Sequence, residues 1–175
     1  MNKQLVITAL GKDRPGIVGA LSEALSARKL NIEDSRMSVL GGEFAILMLV
    51  SGGDAAIDEF INGIEALEGK LDMKLLVKLT EAQEDSRVLI PCSVEVVSID
   101  HPGIVQDITG FFSRREINIV KMDTSCYPAA HTGATMFALQ MTIGVPAEQS
   151  IAGLREDFAG LCDEMNLDAS LNLTK

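Results

Sequence analysis

Apolar and polar positions follow one sequence of periodicities along this chain, and they follow it twice. Leu5, Ile7 and Ala9 alternate with Gln4, Val6 and Thr8, and Cys92, Val94 and Val96 alternate with Ser93 and Glu95, so each half opens on a strand. Ile17, Leu21, Ala24 and Leu25 then fall at helical spacing, as do Ile104, Ile108, Phe111 and Phe112, in helices predicted to end near Lys29 and Glu116. Second strands are predicted at about Ile32 to Val39 and Ile119 to Tyr127, and third strands at "FAILMLV" and "FALQMTIGV". A second helical stripe follows in each half: Ile57, Phe60, Ile61, Ile64 and Leu67, then Ile151, Leu154, Phe158, Leu161 and Met165. Short strands, "MKLLVKL" and "LDASLNL", close the two halves. The order is βαββαβ, twice.

That order predicts an α+β chain of two ferredoxin-like modules, each an antiparallel four-stranded sheet with its helices on one face. The boundaries expected are 1–80 for the first module, 81–87 for a linker and 88–175 for the second. The linker region, "TEAQEDSRV", is polar, short and free of Gly and Pro, so the modules are expected to lie close together. A unit of about 80 residues buries a modest fraction of its surface and leaves edge strands, and packing between modules answers both problems.

The duplication is also visible residue by residue. At an offset of 87, Asp13, Pro15, Gly16, Ile17, Val18, Ser26, Arg28, Asn31 and Ile32 meet Asp100, Pro102, Gly103, Ile104, Val105, Ser113, Arg115, Asn118 and Ile119. Phe44 and Phe137 differ by 93, so the second copy has gained six residues in its hairpin, where "PAAHTGAT" replaces "LGGE". Loops absorb such insertions at little cost.

The repeated Asp-x-Pro-Gly element lies where a strand becomes a helix. Proline is tolerated in a first helical turn, an aspartate ahead of it is a candidate cap for the free amides, and glycine lets another group approach the backbone closely. Asn31 and Asn118 follow one helix length later, with both a donor and an acceptor to offer an amino acid. The same residues are a competent helix start, and a competent helix end, whatever the function.

Charge and composition narrow the field. Fifteen basic against twenty-five acidic residues give −10, spread as 9 − 14 = −5 over residues 1–85 and 6 − 11 = −5 over residues 86–175. So acidic a chain, with no basic run and only 4% aromatic residues, is disfavoured for direct nucleic-acid binding. No apolar run approaches a membrane span and the N-terminus shows no signal core, so no membrane contact and a cytoplasmic location are expected. Cys92, Cys126 and Cys162 are widely spaced, which suggests neither disulfides nor a metal site, and no cofactor is called for. Cys126, His131 and Asp123 share one strand and loop segment and are the sole hint of nucleophilic chemistry.

The segments "DRPGIVGALSEALSARKLNIEDSRM" and "DHPGIVQDITGFFSRREINIVKMDT" resemble the first helix and flanks of ACT domains, small regulatory modules that bind amino acids, and the resemblance covers essentially the whole chain. It implies a ligand between the loop before the first helix and a neighbouring module. The positions so implied are Gly11, Lys12, Asp13, Arg14, Pro15 and Gly16 with Asn31, and Ser98, Asp100, His101, Pro102 and Gly103 with Asn118. Some serine-binding relatives carry His where this chain has Gly11 and Ser98, and Asn where it has Asp13 and Asp100. An acid there favours an ammonium group over a carboxylate. His101 stands in the second motif where the first has Arg14.

Two modules with no attached enzyme resemble the ACT proteins that regulate transcription. This implies a non-catalytic sensor of an amino acid, glycine or serine foremost, that acts through a protein partner such as a transcription activator, with a homodimer as one expected assembly. A scaffold that assembles without any ligand is the alternative. The longer 128–135 loop is a candidate place to meet a partner.

Overall fold

The structure, a computed structural model, describes residues 2–80, 88–130 and 132–174. It falls into two compact units, one in each half of the chain. The first contains β1 (Asn2–Lys12), α1 (Ile17–Ser26), β2 (Asn31–Leu40), β3 (Glu43–Gly53), α2 (Asp54–Asn62), α3 (Ile64–Leu71) and β4 (Met73–Thr80). The second contains β5 (Leu89–Ile99), α4 (Ile104–Ser113), β6 (Asn118–Pro128), β7 (Thr135–Pro146), α5 (Ile151–Glu164) and β8 (Asp168–Leu173). Strand orders are β2-β3-β1-β4 and β6-β7-β5-β8, antiparallel throughout, which is the expected ferredoxin-like topology in both units.

Period-two alternation places the cores. In β1 and β3, Leu5, Ile7, Ala9, Ile46, Met48 and Val50 point to the helices, where Ile17, Leu21 and Leu25 of α1 meet them. In the second unit Phe111, Phe112 and Phe158 form a ring cluster with centroids 5.1–5.4 Å apart, between α4 and α5. Each such side chain removed from water contributes roughly 1.5–3 kcal/mol, so the helical stripes read from the sequence account for most of the adhesion between layers.

Four local expectations change. The second helix of the first unit is two helices, broken at Gly63, whose N–H donates to the Glu59 and Phe60 carbonyls at 3.1 Å; the second unit keeps one uninterrupted α5. Neither Asp13 nor Asp100 caps a helix: the N-caps are Gly16 and Gly103, and neither α1 nor α4 has a side-chain cap. Pro15 and Pro102 stand one residue ahead of those caps, in the turn. Asn31 and Asn118 are not C-caps but the first residues of β2 and β6. The left-handed position goes to Lys29 and Glu116, and the N–H of Leu30 or Ile117 closes back on the Leu25 or Phe112 carbonyl at 3.1 Å. The linker expected at 81–87, and His131, lie outside the described residues.

Candidate functional site

In the first unit β1 ends at Lys12 and the chain turns through exposed Asp13, Arg14, Pro15 and Gly16 into α1. The Asp13 N–H donates to the Gly42 carbonyl at 3.1 Å, so the tight Gly41-Gly42 turn between β2 and β3 holds the loop at its start. Arg14 holds it at its end, with Nη2 donating to the Leu71 carbonyl at 2.9 Å, at the C-terminus of α3. Gly16 then adopts φ 87°, a left-handed conformation that other residues enter at a cost. With the turn fixed at both ends, the Ile17 N–H donates back to the Arg14 carbonyl at 3.4 Å, the amides of Val18 and Gly19 have no acceptor within the helix, and no acidic side chain lies in that turn. Such a terminus attracts a negative group.

The second unit repeats the frame and alters the contents. The Asp100 N–H donates to the Thr135 carbonyl at 2.9 Å, and Gly103 has φ 106°. His101 folds onto its own loop, Nδ1–H donating to the Pro102 carbonyl at 3.1 Å, and makes no contact like that of Arg14. Asp107 occupies the first turn of α4, its Oδ2 3.6 Å from where a Cβ on Gly103 would lie. The positive end of this helix therefore already has a carboxylate of its own. Sequence reasoning passed over Asp107, although an acid in a first helical turn is a recognisable signal.

Gly11 and Ser98, equivalent by repeat, are not interchangeable. A Cβ on Gly11 would lie 2.8 Å from Met73 Cγ and 3.0 Å from the Asp72 carbonyl, because β4 pairs with β1 as far as Gly11. The pairing of β8 with β5 stops at Val97, which leaves room for Ser98, buried and donating to the Ile99 carbonyl at 3.1 Å.

Within a unit, the two Asn residues and the Pro-Gly loops do not come together. Asn31 pairs with Ser51, opposite Gln4, whereas Gly11 lies level with Phe44 and Val39 at the other end of the sheet. Seven strand steps along β1 and β3, roughly 23 Å, separate the two. Asn118, level with Gly144, is likewise at the far end from Asp100. Asn31 donates instead to the Glu33 carboxylate, which also accepts from the Ser51 hydroxyl; together these hold the Glu33 carboxyl below its ordinary pKa, the serine contributing most. Asn118 borders an open groove of about 710 Å³ between α4 and β6, with Gln106, Thr109 and Ser113.

The cysteine segment lacks the geometry of a nucleophilic site. Cys126 is opposite the buried Phe137 and Asp123 opposite Gln140, three residues apart and so on opposite faces of β6, and Asp123 is paired with Lys121 at 2.8 Å. Desolvation, then the charge and hydrogen bond of Asp100, push the Cys126 thiol up, away from the reactive thiolate. Among the described residues no cluster of His, Cys, Asp and Glu is fit to hold a metal ion.

The fold and its duplicated helix starts define a tandem ACT-type protein, and comparison with known proteins agrees. The sequence profile of the ACT domain matches residues 3–78. The chain is 34% identical over 97% of its length to the glycine cleavage system transcriptional repressor of Escherichia coli (strain K12), covering 89% of that protein. A solved structure of a putative glycine cleavage system transcriptional repressor superposes with a TM-score of 0.75 at 29% identity, over 100% of this chain and 99% of that one. An unknown protein from Galdieria sulphuraria superposes with a TM-score of 0.83 at 26% identity, over the whole of both chains. The chain belongs to the ACT-domain family of regulators that includes the glycine cleavage system transcriptional repressor.

Proposed function

We propose that this protein is a non-catalytic, amino-acid-responsive regulator of glycine cleavage genes. The observation that carries the reading is the contrast between its two helix starts. The first has glycine in the left-handed region, no side-chain cap and no acid of its own, while the second has Asp107 in that place. A free amino acid fits the first: its carboxylate meets the start of α1 and its ammonium group meets Asp13. Glycine and serine, with the smallest side chains, suit the exposed turn from Asp13 to Gly16. Asn31 cannot reach the same ligand from within its own unit. The net charge of −10 opposes direct contact with DNA, so the regulator acts through a protein partner such as a transcription activator. Such coupling requires the ligand to favour one state of the protein over another.

The experiment is a thermal-shift panel of amino acids on the full chain, glycine and serine first. Stabilisation that saturates, and that disappears in Asp13→Ala but survives in Asp107→Ala, supports the reading. No stabilisation by any amino acid at millimolar concentration sinks it. A regulator that assembles with its partner without a ligand would then be favoured, a reading to which the self-occupied second helix start already lends some support.

A further inference from the structure

Arg28 and Arg115 hold the same position of the repeat and begin alike, Nη1 donating to the carbonyl four residues back, Ala24 at 3.0 Å and Phe111 at 3.4 Å. Beyond that bond they part. The Arg115 guanidinium carbon lies 3.8 Å from the centroid of the Phe111 ring, and Nη2 donates to the Asp157 carboxylate at 2.9 Å. For Arg28 the Phe60 ring is 5.9 Å away and Nη2 donates to nothing among the described residues. Its Nε is buried without a hydrogen-bond partner, the one such side-chain atom among the described residues, and Glu59 Oε1 comes no closer to it than 4.0 Å. A donor left unpaired in this way calls for a partner that the chain does not supply.

Two substitutions between the units account for the difference. Ala24 stands where the second unit has Phe111, at the offset of 87. Gly63 stands where it has Asp157, since 157 − 63 and 166 − 72 both give 94, the offset of the left-handed Asp72 and Asn166 that follow the second helices. A recess of about 290 Å³ lies along α1 and α3 in the first unit, lined by Ala20, Ala24, Ala27 and Leu67, with Arg28 and Gly63 beside them. Arg28 Nη2 is 3.3 Å from where a Cβ on Gly63 would stand. That is the direction from which Asp157 reaches Arg115 in the second unit.

We propose that this recess is a further ligand site, which takes a small carboxylate with a short apolar body. The carboxylate pairs with Arg28 Nη2 in the place of Asp157, and the body lies along the alanines in the place of Phe111. The second unit closes the same place with its own residues, so the repeat displays the site with an occupant built in. Arg28 and Lys70 against Glu23 make the lining basic in a chain of net charge −10, which gives an anion a local attraction. The volume, at the lower end of ordinary ligand pockets, suits a molecule of metabolite size and excludes a nucleotide. The site is separate from the loop before α1: Gly16 and Ala27, the two caps of that helix, are eleven residues and roughly 16 Å apart.

Titration of the full chain with sodium butanoate at constant ionic strength tests the proposal, read by NMR at the Arg28 Nε–H and the backbone amides. Butanamide, of the same shape without the charge, is the control. Butanoate at millimolar concentration should give saturable shifts at Arg28 Nε–H, Ala24, Ala27 and Gly63, and butanamide none. Arg28→Gln should weaken binding roughly tenfold or more. Gly63→Asp should abolish it with the melting temperature held or raised, because the new carboxylate pairs with Arg28 and caps α3. Ala24→Phe, which fills the place of the apolar body and keeps Arg28, should weaken binding as well. The absence of saturable shifts overturns the proposal, as does an equal response to butanamide or undiminished binding in the folded variants. Shifts at Gly16 to Gly19 with Arg28 unmoved also overturn it, and would assign the carboxylate to the loop before α1 instead.

Discussion

Arg14 and Leu71 are joined by a hydrogen bond of 2.9 Å between residues 57 apart in sequence, linking the loop before α1 to the end of α3. The equivalent residue of the second unit, His101, bonds its own loop instead. One residue of the repeated motif thus anchors the candidate site in one unit and not in the other. Replacing Arg14 with Ala should cost about 1 kcal/mol, seen as a lower melting temperature of the full chain, and Arg14→His should cost nearly as much. An unchanged melting profile in both variants would show that the bond does not fix the loop.

Gly16 and Gly103 hold φ angles of 87° and 106°, and nothing lies within 4 Å of a Cβ built on Gly16. The penalty for Gly16→Ala is therefore one of backbone alone, about 1–2 kcal/mol. Chemical denaturation should show a loss of that size without a change in cooperativity. A much larger loss would mean packing around the turn that the geometry does not contain.

Acid should weaken the first unit modestly through identifiable carboxylates. Glu33 is held below the ordinary range by Ser51 and Asn31, Asp34 by Arg36, and Glu68 by the Leu75 N–H, to which it bonds at 2.8 Å. Because their folded pKa values are lowered, the stability they add is complete above the unfolded range, near pH ~4.5, and is lost as pH falls through the folded values. Combining Glu33→Gln with Glu68→Gln should flatten the dependence of stability on pH below that point. An equally steep decline would place the acid sensitivity elsewhere.

Much of this was legible in the sequence, and what was not has physical causes. Strand and helix order followed from periodicity, because buried faces must repeat at 2 or 3.6 residues. The break at Gly63 was hidden inside a stripe that runs on without interruption from Ile57 to Leu67, since apolar spacing records which face is buried but not whether the hydrogen-bond ladder is continuous. The left-handed residues at Lys29 and Glu116 escaped notice because neither is Gly or Asn; closure of the helix end by buried Leu30 and Ile117 outweighs the preference. Linear proximity also misled. Asp13 and Asn31 are eighteen positions apart in a repeated motif, yet α1 runs back along the sheet and leaves Asn31, the first residue of β2, at its opposite end. No spacing rule conveys that without the topology.

Cysteine chemistry offers a further check. Cys126 is exposed but its thiol is pushed up, and Cys162, buried, is raised to about 11. Reaction with a thiol reagent near neutral pH should be slower at Cys126 than for free cysteine, faster in Asp100→Asn, and absent at Cys92 and Cys162 until the protein unfolds. A Cys126 more reactive than free cysteine would revive the nucleophilic reading.

The central claim is that a small amino acid is sensed at the start of α1 and not at the start of α4. Amide chemical shifts of the full chain during a titration with glycine, then serine, test it most directly. The account predicts saturable shifts at Gly16, Ile17, Val18 and Gly19, with those of Gly103 to Gln106 unmoved. Shifts confined to the second unit, or none anywhere at millimolar ligand, would contradict it.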